Sequence, residues 1–167
     1  MTLAARTAGV GCAAIVLAVL AVPVFGDPVY DDMTAGAVPG EQIKPFVPDT
    51  LAGVGLTNRL DYPWSQAGAY KLADGGYANL DIQNTFHRGT HDTSIEDRSA
   101  KACPKRETVR GFAACVRIRP ASDGGASIRW YLPDRLTVRI AAPTEALVRK
   151  MAGELPIAAL AKLSAAR

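Results

Sequence analysis

Ser127-Ile128-Arg129-Trp130-Tyr131-Leu132-Pro133-Asp134-Arg135-Leu136-Thr137-Val138-Arg139-Ile140-Ala141 decides the fold. Apolar and polar residues alternate on both sides of Pro133-Asp134. That period of two belongs to a half-buried strand, and the Pro-Asp step to a tight turn. The pair is predicted to be an antiparallel hairpin. Upstream, Thr108 to Arg119 ends in Val116-Arg117-Ile118-Arg119 and meets the turn Ser122-Asp123-Gly124-Gly125. Read as one more strand, it completes a three-stranded meander. The expected apolar face carries Val116, Ile118, Ile128, Trp130, Leu132, Leu136, Val138 and Ile140.

A second hairpin precedes the meander. Ala69 to Ala73 and Tyr77 to Phe86 flank Asp74-Gly75-Gly76, a turn that needs positive φ. Ala78, Leu80, Ile82 and Phe86 share one side of the second run. Asn79, Asp81, Gln83 and Thr85 share the other. The C-terminus reads as two short helices. Thr144 is the expected N-cap of the first, Leu147, Val148 and Met151 its apolar stripe, and Gly153 its stop. Pro156 can open the second, with Ile157, Leu160 and Leu163 on one side. The expected fold class is α+β: an antiparallel sheet of about five strands, one face covered by the terminal helices.

Residues 27–66 hold five prolines and four glycines and read as an extended lead-in. Phe46, Val47, Leu51, Val54, Leu56, Leu60 and Trp64 are too apolar for a free linker. The segment is expected to wrap the folded body, residues 67–167, or to lie on a partner. Tyr62-Pro63-Trp64 and Tyr70 form an aromatic cluster that serves either the core or an interface.

The first 26 residues set the expected compartment. Arg6 precedes an uncharged run from Thr7 to Gly26 that is interrupted by Pro23. These are the n- and h-regions of a secretory signal, with cleavage after Gly26 or after Ala21. The alternative is an uncleaved membrane anchor, since the run approaches spanning length. Both place residues 27–167 outside the cytoplasm, because the first charges after the run are Asp27, Asp31 and Asp32. Cys12 precedes the apolar centre and does not fit a lipobox. Beyond the leader only Cys103 and Cys115 remain, and in an oxidising compartment a disulfide between them is expected.

Thirteen of the 19 basic residues are arginine. Strand alternation predicts Arg117, Arg119, Arg129, Arg135 and Arg139 on the sheet face opposite the core. Guanidinium groups there would take phosphates or carboxylates through forked hydrogen bonds. Charge also divides along the chain. Residues 27–97 hold 11 acidic and 4 basic residues, and residues 98–167 hold 5 acidic and 14 basic. The plain alternative is that the acidic half covers the basic face, with Asp81 as one partner.

His87, His91 and Asp92 form the other candidate. Imidazole and carboxylate are zinc ligands. The polar stretch His87 to Glu107 is long for a loop in a small domain. Yet Gly89 and Thr90 disfavour the helix that H-x3-H spacing requires, and Arg88 stands where a zinc protease carries Glu. No G-x-S-x-G elbow or phosphate-binding glycine loop occurs. The net charge of +3 is too small for a general nucleic-acid binder. Two expectations follow. One is a non-catalytic protein of the cell envelope that contacts an envelope protein or anionic membrane surface through its arginines. The other is a small extracytoplasmic metal-assisted hydrolase built on the histidine loop.

Overall fold

Eight strands form one antiparallel sheet in the order β1-β2-β3-β4-β8-β7-β6-β5. The computed structural model describes residues 36–84, 103–133 and 135–166. The strands are β1 (Thr50–Leu51), β2 (Val54–Tyr62), β3 (Ser65–Lys71), β4 (Tyr77–Asn84), β5 (Lys105–Val109), β6 (Phe112–Arg117), β7 (Ala126–Tyr131) and β8 (Leu136–Ala142). A short helix α1 (Gly40–Ile43) precedes them, and α2 (Glu145–Glu154) and α3 (Ile157–Ala165) follow. The sheet is two four-stranded meanders laid with their last strands, β4 and β8, side by side and antiparallel.

The α+β class holds, but the strand count is eight rather than about five. Two of the extra strands, β1 and β2, come from residues read as the lead-in. β2 is a proline-free run between Gly53 and Pro63, and Leu60 and Tyr62 on it are exposed. Burying so little, it carries no clean apolar alternation. The third is β5. Thr108 to Arg119 is not one strand, because Arg110 and Gly111 take φ of 57° and 83° and turn the chain back. Positive φ at both central positions matches the right-handed twist of a two-residue hairpin. Ala52 and Gly53 make the same turn between β1 and β2, at 57° and 81°.

One face of the sheet is the core. Tyr70, Leu80, Ile82, Val116, Ile128, Trp130, Leu136, Val138 and Ile140 lie on it and are buried. α2 packs on β7 and β8, and α3 on β8. Thr144 caps α2 as expected, its Oγ1 accepting from Leu147 N at 3.3 Å. Gly153 does not stop the helix, which runs on to Glu154. Pro156 does precede α3. Ile118 departs from its expected place. It lies one residue past β6 and is 50% exposed, whereas the helices pack on β7 and β8.

The lead-in is tied down at several points. The Tyr70 hydroxyl donates to Pro48 O at 2.8 Å, and burial pushes the phenol up to about 12. Arg59 donates to Val47 O and to Asp49. Gly68 lets Val47 and Leu56 approach: a Cβ there would stand 2.8 Å from a methyl carbon of each. At the far end Ala52 N donates to Glu154 Oε2, and Lys150 Nζ donates to Ala52 O, so α2 clamps the β1–β2 turn.

Candidate functional site: an arginine row on the open sheet face

The face opposite the core is not covered by any described element. Its residues are set by register. Asp81 of β4 pairs Arg139 of β8, Arg139 pairs Arg129 of β7, Arg129 pairs Cys115 of β6, and Cys115 pairs Arg106 of β5. Directly opposed residues on one face hold their Cβ atoms about 5 Å apart, so three guanidinium groups share a single row. Arg117, two residues beyond Cys115, is diagonal to Arg129 on the same face. Arg119 extends beyond the strand, its N–H bonded to Gly125 O at 3.2 Å.

Of the five arginines expected on this face, four lie on that side by position. Arg129 and Arg139 are directly opposed, and Arg117 and Arg119 lie toward one end. Arg135 is elsewhere. Its guanidinium donates to Ser164 O at 2.8 Å, Leu163 O at 3.1 Å and Gly36 O at 3.0 Å. The last carbonyls of α3 attract the cation away from the face that strand alternation assigns it. Arg106 replaces it in the row. The sequence reading missed Arg106 because the turn at Arg110-Gly111 was not seen. Counting back from that turn places it opposite Cys115.

Charge on this face is poorly balanced among the described residues. Among the described residues Asp81 and Arg139 make the only ion pair that joins the acidic half of the chain to the basic half, and it is loose, at 3.8 Å. The other pairs, such as Lys44–Asp61 and Arg59–Asp49, close within one half. Glu107 is taken by Lys105 and Arg149. Arg106, Arg117, Arg119 and Arg129 have no carboxylate partner among the described residues. Burial raises the Asp81 carboxyl above its ordinary value, although Arg139 and Arg129 both pull it down.

Cys103 and Cys115 are joined as a disulfide, with Cα atoms 5.5 Å apart. The bond sits within the arginine row, since Cys115 lies between Arg106 and Arg129. An oxidising compartment is where such a bond persists. No described helix is long and apolar enough to cross a membrane. Residues 1–26, expected to be a leader, lie outside the described residues, as do His87, His91 and Asp92. Among the described residues no group of three His, Cys, Asp or Glu side chains could hold a metal. The aromatic cluster divides: Tyr70 is core, while Tyr62 and Trp64 are exposed.

Comparison with known proteins returns no matching family model, curated protein or solved structure. The functional reading therefore rests on the site itself.

Proposed function

We propose that this is an exported, non-catalytic binding or accessory protein of the cell envelope, which docks on an anionic partner through the open face of its sheet. The observation that carries the reading is the row Arg106, Arg129, Arg139 with Arg117 beside it. Its only carboxylate among the described residues is Asp81. Like charges set directly opposite each other destabilise a sheet. An anion lying across the row offsets that repulsion and accepts several charge-assisted hydrogen bonds. The leader-like N-terminal sequence and the disulfide support this reading, since they fit a domain outside the cytoplasm, where envelope proteins and anionic membrane surfaces are at hand.

The test is charge reversal at Arg117, Arg129 and Arg139 together, read as retention on envelope fractions. Retention of the variant should fall, and wild-type retention should weaken steadily with salt. Retention that is the same for both proteins at every ionic strength overturns the reading.

A further inference from the structure

Among the described residues, the outer edge of β6 is left uncovered at one end. Lys105 pairs Val116, and there the β5–β6 ladder stops. Pro104 would face Arg117, which turns its hydrogen-bonding groups to β7, so the next rung of the ladder would fall to Cys103 and Ile118. The chain then leaves the line of β5, because Cys103 is drawn over the open face by its bond to Cys115. A groove of about 410 Å³ remains, lined by Pro104, Lys105, Val116, Arg117, Ile118 and Arg119.

The backbone beside this groove is unpaired in a specific direction. Arg117 pairs Ser127, and Arg119 N–H bonds Gly125 O, so both residues turn their hydrogen-bonding groups toward β7. Alternation along the strand then points the N–H and C=O of Ile118 outward. Neither has a partner among the described residues. The side chains alternate as well. Arg117 and Arg119 extend on the open face, and exposed Ile118 extends on the other. The Lys105 ammonium is held by Glu107 at 2.6 Å, which leaves the two arginines as the cations facing an incoming chain among the described residues.

We infer that this edge takes an extended acidic peptide of a protein partner, added as a short strand in the line of β5. Its recognition unit is acidic–apolar–acidic. The apolar residue lies opposite Ile118 and shares its backbone hydrogen bonds, one acidic side chain faces Arg119, and the other, turned out of the β5 line by Pro104, reaches Arg117. Backbone pairing at a sheet edge supplies affinity in such complexes, and alternate side chains supply specificity. The inference rests on the anionic-partner reading above and names the partner's chemistry.

The experiment uses the full chain, a labelled synthetic peptide centred on Glu-Val-Glu, a Gln-Val-Gln control, and vesicles of mixed phosphatidylglycerol and phosphatidylcholine. The Glu-Val-Glu peptide should bind and the control should not. Reversing Arg117 and Arg119 to Glu should abolish binding. Ile118→Pro leaves every charge in place but removes the outward N–H, and should weaken binding by about tenfold, one lost charge-flanked hydrogen bond. Ile118 is exposed and past the last paired residue of β6, so its melting temperature serves as the folding control. Equal peptide binding by Ile118→Pro overturns strand addition. Vesicle binding that needs Arg117, Arg129 and Arg139, with no peptide binding, overturns the edge inference and leaves the anionic-partner reading standing. No binding to either probe overturns both.

Discussion

Arg129 of β7 and Arg139 of β8 stand directly opposite each other on the open face of the sheet. Two like charges in that relation cost a sheet about 0.2–1 kcal/mol relative to a neutral pair. Arg139 has partial relief from Asp81 at 3.8 Å, whereas Arg129 feels that carboxylate only at longer range and forms no ion pair among the described residues. A β-favouring neutral residue at 129 should therefore stabilise the free protein. Arg129→Thr is expected to unfold at higher urea than wild type, by about 0.5 kcal/mol at low salt. The gap should close as salt screens the pair. Inorganic phosphate should raise the melting temperature of wild type more than that of the variant. A variant less stable at low salt would show that the two guanidinium groups do not repel.

Acid should act on this molecule in two opposite senses. Hydrogen bonds from Arg149 and Lys105 hold the Glu107 carboxyl down to about 2, against an ordinary 4.5. A lowered folded pKa means that the ionised form stabilises the fold. That contribution is complete above 4.5 and is lost as pH falls toward 2. Asp81 has the reverse sign. Burial raises its pKa from 3.8, so the folded protein holds its proton longer than the unfolded chain. Its ionisation opposes folding, and stability recovers as pH falls through the folded value toward 3.8. Stability measured by denaturant across this range should show Glu107→Gln with a flatter acid limb. Asp81→Asn should lose the gain on mild acidification. Identical pH profiles for all three proteins would remove both assignments.

Ser164 is fully buried and serves the β7–β8 connection from within α3. Its Oγ accepts from Arg135 N at 3.1 Å and from Leu136 N at 3.0 Å, and donates to Pro133 O. Ser164→Ala takes the hydroxyl from the buried Leu136 N–H, while Arg135 N keeps Pro133 O at 2.9 Å, and should cost about 1–3 kcal/mol. Arg135→Lys keeps a cation near the helix end but forfeits the fork that spans Ser164 O, Leu163 O and Gly36 O. It should cost about 1–2 kcal/mol. Since Arg135 is turned from the open face, envelope retention should be unchanged by Arg135→Lys. A loss of retention without a loss of stability would return Arg135 to the binding surface.

Legibility in the sequence followed burial. β4, β7 and β8 sit in the middle of the sheet with one face fully covered, and their alternation is unmistakable. β2 and β5 lie toward the edges and carry weak patterns. β5, Lys105-Arg106-Glu107-Thr108-Val109, is charged as an exposed edge requires, so it resembles loop. Arg110 hid a turn because arginine is a poor residue for positive φ. That one miss cost a strand and with it Arg106. Arg135 could not be placed by alternation, since what orients it is the end of a helix almost thirty residues later. Alternation put Arg129 and Arg139 on one face, but their direct opposition depends on the β7–β8 register, which alternation alone does not fix.

The two positive-φ turns make an internal control on backbone strain. Arg110, at φ 57°, is exposed and precedes Gly111, so Arg110→Asn would create the Asn-Gly step that this turn prefers. Asparagine adopts the left-handed region more readily than arginine, and the change should stabilise by about 0.5–1 kcal/mol. Ala52 has the same φ of 57° before Gly53, but the residue is only 5% exposed and its N–H and C=O are held by Glu154 and Lys150. Ala52→Asn would press an amide against α2 and should destabilise by about 1–3 kcal/mol, whatever the backbone gains. Urea midpoints of the two variants should move in opposite directions. If both rise, the clamp between the β1–β2 turn and α2 is too loose to exclude a larger side chain; if both fall, the strain at Arg110 is not a cost that asparagine relieves.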